Sequence, residues 1–299
     1  MAPDVVGSTP TSRPNSRPRC DGPSPQISSL KYLLVSPEFQ SQIDFAVPSS
    51  APPWHIGTSG WAYASWKPGF YPAKLPARKF LEHYTTRLNS VEVNYTFRQL
   101  PTAAMIASWL AATRDDFRFS FKAPQRVTHF QKLKDCGELM SALISALTPV
   151  AQAGRMGIVL IQLPPTFKAD MGRLDTFLNE SNRTGPVRMA IEFRHASWFT
   201  EETFAIMRRH GVALCVAESD DLQTPDVVTA PFTCYRLRKS GGYEPNELDA
   251  ITRKLRQRAA TGEVFAYFKH EEEPTGALSA EGALQALNAQ PSDENQVAP

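Results

Sequence analysis

The sequence predicts a closed barrel of eight parallel strands and surrounding helices, a TIM-type (β/α)8 fold, on three observations. First, eight short runs rich in β-branched and aromatic residues alternate with segments whose apolar residues have helical spacing. Second, the alternation begins near Trp54, and the chain from there has about the length of one such barrel, roughly 250 residues. Third, Gly57-Thr-Ser-Gly60 after the first run is not the glycine-rich nucleotide turn of a doubly wound sheet.

The strands are predicted from these short runs, which are separated by turn residues and helical segments. In chain order they are residues 55–59, 90–97, 117–122, 157–163, 188–193, 213–218, 233–237 and 264–269.

The helices are predicted from apolar residues at positions i, i+3 and i+4. They contain residues 80–88, 105–110, 139–147, 174–178, 201–210, 248–255 and 284–287. Thr200 suits the N-cap of the fifth helix, and Gly211 suits its end. Only about fourteen residues separate strands 6 and 7, so the outer helix there is expected to be missing or short.

The composition is that of an ordinary globular protein, with 299 residues, 42% hydrophobic, 21% charged, and a net charge of +2. It excludes a chain disordered throughout, a polybasic nucleic-acid coat and a collagen or coiled-coil fibre. The longest strongly apolar run, residues 157–163, is far shorter than the ~20 residues of a membrane span. Four cysteines without C-x-x-C spacing, and the lack of an apolar leader, favour a cytoplasmic location.

Three regions are predicted along the chain. Residues 1–53 hold ten of the 25 prolines among Ser, Thr and Arg, and are expected to form a disordered extension. The barrel is expected to occupy residues 54–288, followed by a flexible tail over residues 289–299. The sequence does not indicate an oligomeric state.

The alternation of side chains along each strand predicts which residues enter the barrel. Ser120 and Lys122 share one face of the third strand, and Phe117, Phe119 and Phe121 take the other, where helices pack. The same rule predicts that eight further residues point inward, all of them near the carboxyl ends of their strands. They are Glu92, Asn94, Gln162, Glu192, Arg194, Glu218, Arg236 and Lys269. Ligands bind at this rim in (β/α)8 barrels, so the array predicts a polar pocket.

Two interpretations of this array are open. The charges could close into a salt-bridge network that only caps the core, because glutamates and cations nearly balance. A cationic surplus would instead favour a small anionic ligand, phosphate or carboxylate, clamped by arginine. The parity of Cys215 relative to Glu218, and of Cys234 relative to Arg236, puts the two cysteines on opposite faces, which argues against a disulfide.

Two further kinds of site involve the rim loops. His129, His195 and His270 could hold a divalent metal with the glutamates, but no close-spaced ligand pair such as H-x-H occurs, and the sequence requires no cofactor. The aromatic loop that contains Trp61 and Tyr63 could stack on a base or a sugar, or could be a lid packed on the barrel mouth.

Five motifs follow one another along the chain. They are Gly57-Thr-Ser-Gly-Trp61, Val91-Glu-Val-Asn-Tyr-Thr-Phe97, Phe119-Ser-Phe-Lys-Ala-Pro124 with Thr128-His129, Gln162-Leu-Pro-Pro165 and Glu192-Phe-Arg-His-Ala-Ser-Trp198. Together they resemble the YecE-like family, domain of unknown function 72, from about residue 55 to residue 287. The resemblance implies a TIM-type barrel and little about its chemistry.

The resemblance also extends to individual positions of the rim. Those that match the family motifs are Glu92, Asn94, Lys122, His129, Gln162, Glu192, Arg194 and Trp198, and Arg236 fits the seventh strand. The chain departs from the family after the eighth strand, where Phe268-Lys-His-Glu271 replaces a Phe-Asn-Asn turn. This member is therefore expected to differ from its family in any ligand contact made there.

The leading hypothesis is an enzyme that acts on an anionic or sugar-phosphate-like small molecule by acid/base chemistry. Glu192 would be the general acid or base, Lys122 would stabilise developing negative charge, and His129 would shuttle a proton, with Glu92 beside them. Ligand contacts are predicted for Asn94, Gln162, Arg194, Trp198, Arg236, Trp61 and Lys269. The alternatives are a metal-dependent phosphodiesterase on nucleic acid and a non-enzymatic module that binds single-stranded nucleic acid or another ligand.

Overall fold

The structure, a computed structural model, describes residues 53–185, 187–218, 222–239, 241–269 and 272–289. The predicted N-terminal extension except Pro53, and the predicted tail except Ala289, lie outside these ranges, as do His270 and Glu271. Within the described ranges, no helix has both the length and the apolar character that crossing a membrane requires.

Eight parallel strands close into a barrel, which confirms the predicted fold. They are β1 (Trp54–Ser59), β2 (Ser90–Val93), β3 (Arg118–Lys122), β4 (Met156–Gln162), β5 (Met189–Glu192), β6 (Ala213–Ala217), β7 (Phe232–Leu237) and β8 (Glu263–Phe268). Each strand pairs with its neighbours in the chain, and β8 pairs with β1. The second strand is shorter than predicted, because the chain turns into a 3-10 helix over Tyr95–Phe97.

In the described part of the chain, seven α-helices surround the barrel. They are α1 (Phe80–Tyr84), α2 (Ala103–Ala111), α3 (Gly137–Gln152), α4 (Met171–Asn182), α5 (Glu201–Arg209), α6 (Pro245–Ala259) and α7 (Thr275–Asn288). Between β6 and β7, none of the described residues, 218 and 222–231, is helical, in agreement with the gap predicted in the outer layer.

Polar N-caps fix the starts of two helices that face the rim loops. Thr200 Oγ1 accepts a hydrogen bond from the Thr203 N–H at 3.3 Å, and Asp170 accepts one from the Arg173 N–H at 3.0 Å. Each cap satisfies one of the backbone donors that a helix start leaves unpaired. Gly211, with a φ of 64°, follows the end of α5 as the sequence predicts.

The barrel wall separates two apolar cores. Outside it, Phe119 and Phe121 pack against Trp109 of α2 with ring centroids 6.4 and 6.5 Å away, which confirms the helix-facing side predicted for β3. The smaller core fills the barrel interior and consists of Ile158, Leu160, Ala190, Ala213, Cys215, Phe232, Cys234, Phe265 and Tyr267. The polar residues of the rim continue these interior rows toward the carboxyl ends of the strands.

The prediction that Cys215 and Cys234 lie on opposite faces is wrong. They are register partners on β6 and β7, both in the interior core, with Sγ atoms 3.4 Å apart. The parity argument fails because it takes Glu218 as an inward residue. Ala217 is level with Arg236 in the register, so Cys215 and Ala217 form the inward row of β6.

A charged cluster lies at the opposite, amino-terminal end of the barrel. Glu263, at the start of β8, lies 2.9 Å from His55 Nε2 and also accepts a hydrogen bond from Arg188. His55 is 2% exposed and stacks on Phe265. Burial lowers the pKa of His55, and Glu263 opposes that shift. The barrel therefore has one end occupied by paired charges and one end with an open rim.

Candidate functional site

The carboxyl ends of the strands surround a cavity of about 380 Å³. It is lined by Tyr63, Asn94, Phe97, Arg98, Lys122, Gln162, Arg194, Arg236, Arg238 and Lys269. Lys122 and Gln162 are the last residues of β3 and β4, and Asn94 directly follows β2. The structure thus brings six of the predicted rim residues into one cavity, because inward rows of neighbouring strands end at the same level.

Arg236 lies at the floor of this cavity between two buried carboxylates. Its Nε and Nη2 donate hydrogen bonds of 2.9 Å to the two oxygens of Glu92, and its Nη1 donates to Glu192. Ser59 Oγ also donates to Glu92, at 2.8 Å. The three charged side chains are 7%, 1% and 2% exposed. Leaving any of these charges unpaired at this depth would cost several kcal/mol, on the order of 3–5, so the floor is also a structural element.

Glu192 is held as a carboxylate by its neighbours. Gln162 Nε2 and Arg194 Nε donate to its Oε1 at 2.8 and 2.7 Å. Burial alone would raise the pKa of Glu192, but the charges of Arg236 and Arg194 and the hydrogen bond from Gln162 outweigh it and lower the pKa to about 2. Such a carboxylate is a weak base and holds no proton to donate at neutral pH.

Lys122, in contrast to Glu192, has a pKa close to neutral pH. Its Nζ lies 4.2 Å from the centre of the Phe97 ring, and its side chain is half-buried in the cavity wall. Burial and the charge of Arg236 lower its pKa, Glu92 and Glu192 oppose the shift, and the result is a pKa of about 8. Lys122 can therefore give or take a proton near neutral pH.

The cavity carries a surplus of positive charge. Six lining residues are cationic: Arg98, Lys122, Arg194, Arg236, Arg238 and Lys269. None of the described lining residues is a carboxylate, and the two glutamates of the floor accept hydrogen bonds from Arg236. Even without Lys269, five cations exceed two carboxylates, so among the described residues the array is not a closed, neutral salt-bridge network.

The two tryptophans predicted to contact ligand lie outside this cavity. Trp198 is 0% exposed, stacks on Phe193, and donates its indole N–H to the Phe167 carbonyl at 2.8 Å. Trp61 packs edge-on against Trp109 with ring centroids 5.8 Å apart. Both belong to the outer core, Trp198 as a buried member and Trp61 packed against it. Strand alternation does not determine the direction of the loops that carry them.

His129 lies beside the cavity rather than in its lining. Its Nδ1 is 2.8 Å from Thr128 Oγ1, and its ring meets the Phe97 ring edge-on with centroids 5.2 Å apart. Burial, and then the charges of Lys122 and Arg194, lower the pKa of His129. The imidazole is therefore neutral at pH 7 and separated from the cavity by the Phe97 ring.

Glu218, predicted to point inward, also lies outside the cavity. Its Oε2 accepts hydrogen bonds from the Arg238 N–H at 2.7 Å and from the Tyr243 hydroxyl. Ala217 holds the inward position beside Arg236, so Glu218 emerges on the other side of the chain. Its place is at the rim loop, where it secures the backbone of Arg238.

The described residues hold no cluster of three or more His, Cys, Asp or Glu side chains suited to a metal ion. Of the predicted metal ligands, His195 accepts a hydrogen bond from the Ser197 N–H at 3.1 Å, and His270 lies outside the described residues. Between Glu92 and Glu192 the guanidinium of Arg236 occupies the position that a cation would take. The donor set at the floor therefore does not fit a metal.

Tyr63, from the aromatic loop considered in the sequence analysis, lines the cavity together with Phe97, Arg98 and Arg238, which were not predicted as site residues. Arg238 has the same parity as Arg236, so extending the alternation two residues further would find it. Phe97 and Arg98 are hidden by the prediction that β2 continues through residue 97, whereas the 3-10 turn at Tyr95–Phe97 carries them to the rim.

Comparison with known proteins yields a family model, described as "Protein of unknown function DUF72", that matches residues 55–299. The chain is 31% identical over 148 residues to the UPF0759 protein YecE of Escherichia coli K12, covering 49% of this chain and 50% of YecE. It is 27% identical over 183 residues to the UPF0759 protein YunF of Bacillus subtilis 168, covering 58% of this chain and 64% of YunF. The chain thus spans about half to two thirds of the length of these relatives.

Solved structures agree with this assignment. A DUF72 family protein of Thermotoga maritima matches with a TM-score of 0.71 and 25% identity, over 79% of this chain and 99% of that one. A DUF72 family protein of Enterococcus faecalis matches in fold with a TM-score of 0.67 and 17% identity, over 82% of this chain and 100% of that one. The family model covers most of the chain and the motifs at the rim agree with it, and the chain belongs to the DUF72, YecE-like family.

Proposed function

We propose that this barrel is an enzyme that binds a small anionic molecule, a carboxylate or a sugar phosphate, in the rim cavity and transfers a proton by means of Lys122. The observation that carries the proposal is the surplus of cations around a cavity whose described lining includes no carboxylate. An anion in the cavity would offset part of this positive charge, most strongly at the half-buried Lys122 and Arg194.

The size of the cavity supports a small ligand. At about 380 Å³ it lies near the lower end of the range for ligand pockets, roughly 300–1,000 Å³. Arg194 lies at the wall with Nε on Glu192, which fixes the guanidinium while its other donors are directed away from that bond. Such a guanidinium suits two-point contact with a phosphate or carboxylate.

The proton role is proposed for Lys122 rather than Glu192. A general acid or base works best when its pKa lies near the working pH. The pKa of Lys122 is lowered to about 8, whereas that of Glu192 is lowered to about 2. In this proposal Glu92 and Glu192 position Arg236 and Arg194, and Asn94 and Gln162 supply amide groups to orient the ligand.

Anion binding is tested by calorimetric titration with inorganic phosphate and acetate at constant ionic strength. We expect phosphate to bind and to raise the melting temperature. We expect Arg194→Met to weaken binding at least about tenfold, because it removes a charge-assisted hydrogen bond. Arg208→Met is the matched control, since Arg208 pairs with Glu201 on the outer surface of α5. If neither anion binds to the unaltered protein at millimolar concentration, the proposal is wrong.

Turnover is tested separately by incubating the protein with sugar phosphates, hydroxy acids and keto acids in D2O. Proton transfer at carbon appears as loss of C–H signals in the NMR spectrum. We expect Lys122→Met to abolish that exchange while retaining the circular dichroism of the folded barrel. If compounds bind but none of them changes chemically, the proposed enzyme activity is wrong and the protein is a binding module.

The proposal places the protein in the cytoplasm. The three described cysteines, Cys136, Cys215 and Cys234, are free and buried. Free thiols are expected of a protein that works in a reducing compartment.

A further inference from the structure

The surroundings of the Lys122 amine in the cavity wall suit a nucleophile as well as a proton donor. One side of its Nζ faces the Phe97 ring at 4.2 Å. Four charged groups act on it electrostatically: Arg236 and Arg194 lower its pKa, and Glu92 and Glu192 raise it. Burial and the neighbouring guanidinium charges favour the neutral, nucleophilic form of this amine, whereas the face of the Phe97 ring favours its charged form.

The carboxylates of the floor do not neutralise this amine. Glu92 accepts from Ser59 and twice from Arg236, and Glu192 accepts from Gln162, Arg194 and Arg236. The ion pairs found in the described part of the chain include none to Lys122. The amine therefore faces the cavity without a carboxylate bound to it.

We propose that Lys122 forms a Schiff base with a small carbonyl compound that carries a carboxylate or a phosphate, a keto acid or a keto-sugar phosphate. This inference rests on the anion site proposed above and adds the substrate class. Arg194, Arg238 and Lys269 surround the position of the anionic group, while Asn94, whose amide lines the same cavity, is placed to hydrogen-bond the carbonyl oxygen.

The step balances without any added oxidant, reductant or metal. The ammonium of Lys122 loses a proton, and its nitrogen attacks the carbonyl carbon to form a carbinolamine. The C–O bond then breaks, and the oxygen leaves as water after it has taken up protons. The net change converts Lys-NH3+ and a ketone into a protonated imine and water, so one positive charge is present before and after. That charge lowers the barrier to loss of a proton or a carbon group from the adjacent carbon.

The test is reductive trapping with sodium cyanoborohydride at pH 8, followed by peptide mapping of the labelled lysines. Pyruvate is the keto acid probe, dihydroxyacetone phosphate is the keto phosphate probe, and acetone is a carbonyl without an anionic group. We expect Lys122 to be labelled at least about tenfold faster than Lys79, an exposed lysine on the outer surface, by one of the two anionic probes. We expect acetone to label Lys122 more slowly, and inorganic phosphate to slow the labelling by the anionic probe.

Two variants complete the experiment. Lys122→Arg keeps the positive charge but cannot form an imine, so we expect it to bind phosphate and to lose the label. Lys79→Arg is the matched control and is expected to retain labelling at Lys122. If Lys122 is labelled no faster than Lys79 while phosphate still binds, the Schiff base is wrong and the anion site stands. If phosphate does not bind, the proposed function fails first.

Discussion

At the scale of single residues, Arg236 is a buried guanidinium that pairs with two buried carboxylates. It connects Glu92 on β2 with Glu192 on β5 from its own strand, β7, through hydrogen bonds that are almost completely shielded from water. Among the described residues, its removal would leave Glu92 with no cationic partner and Glu192 with Arg194 alone. The destabilisation comes from the unpaired glutamates rather than from the lost arginine itself.

We therefore expect Arg236→Met to lower the free energy of unfolding by about 3–5 kcal/mol. Equilibrium unfolding in urea, followed by tryptophan fluorescence, measures the change. Arg238→Met is the matched control, because Arg238 lies two residues further along, is exposed, and should cost less than about 0.5 kcal/mol. Equal losses for the two variants would show that the floor is not an obligatory charge cluster.

The lowered pKa of Lys122 gives a second prediction at this scale. Its pKa is about 8 in the folded protein, against the ordinary value of 10.5 for a lysine side chain. Between these values the unfolded chain binds more protons, so the free energy of unfolding rises with pH in that window and the penalty is fully present below pH 8. Relative to Lys122→Met, the unaltered protein should gain stability from pH 8 to pH 10.5.

Urea unfolding of the unaltered protein and of Lys122→Met, at several pH values between 7 and 10.5, measures this gain in stability. Lys79→Met provides the baseline for removing one exposed lysine. A difference between the unaltered protein and Lys122→Met that is constant over this range would mean that the amine is not desolvated.

At the scale of elements, the close approach of β1 and β2 depends on Gly57. A Cβ at this position would lie 1.8 Å from the Ser90 carbonyl oxygen and 2.9 Å from the Tyr84 hydroxyl. That hydroxyl accepts from the Thr58 N–H at 2.8 Å and donates to the Ser90 carbonyl at 2.9 Å, so it joins α1 to both strands. No side chain fits between them.

Gly57→Ala is therefore expected to prevent folding or to destabilise the barrel by more than about 3 kcal/mol, since the clash is with backbone. The yield of folded protein and its far-ultraviolet circular dichroism are the measurements. Gly172→Ala on α4 is the control, because its Cβ would meet only Asp170 Oδ1 at 3.9 Å. That variant should be neutral or slightly more stable, by about 0.5–1 kcal/mol, owing to the better helix propensity of alanine. A fully folded Gly57→Ala protein would contradict the observed spacing of the strands.

The elements also show which parts of the structure could be predicted. Strand positions follow from short runs rich in β-branched and aromatic residues, and the inward direction of Lys122, Glu192 and Arg236 follows from the period of two within each run. The period ends where a strand ends, so it does not determine the direction of the Tyr95–Phe97 turn or of the loop that holds Trp198. Glu218 shows the same limit one residue beyond β6.

The floor of the cavity could be predicted only in part. Alternation placed Glu92, Glu192 and Arg236 inside the barrel, but their mutual distances depend on the stagger of strands that are far apart in the chain. Register is set by packing around the whole barrel, as the level pairing of Ala217 with Arg236 illustrates. The sequence therefore does not show that Arg236 and Arg194 hold Glu192 as a carboxylate, and this is why it suggests an acid or base role for that residue.

At the scale of the whole molecule, the two ends of the barrel differ in composition and in expected role. The carboxyl-end rim has a cationic cavity, whereas at the opposite end Glu263 pairs with His55 and Arg188. In (β/α)8 barrels the first end generally holds the ligand and the second contributes to stability. Substitutions at the carboxyl-end rim should therefore change mainly the affinity for an anion, and substitutions at the opposite end should change mainly the free energy of unfolding.

We expect Glu263→Gln to lower the free energy of unfolding by about 1–3 kcal/mol, because it removes the charged partner of two half-buried or buried groups. Its affinity for phosphate should stay within about twofold of the unaltered protein. Arg194→Met should show the reverse pattern, with weaker binding and little loss of stability. Calorimetry with phosphate and urea unfolding of both variants make the comparison. A large loss of affinity in Glu263→Gln would mean that the ends are coupled through the barrel.

The guanidinium shared by two glutamates also limits the order in which this lineage can accept substitutions. A descendant that first loses one glutamate keeps Arg236 paired with the other, whereas, among the described residues, a descendant that first loses Arg236 leaves Glu92 with no cationic partner and Glu192 with Arg194 alone. Ancestral routes away from this cluster should therefore pass through the loss of Glu92 or Glu192. Among homologous sequences, we expect to find members with the arginine and a single acid, and few or none with both acids and an uncharged seventh strand.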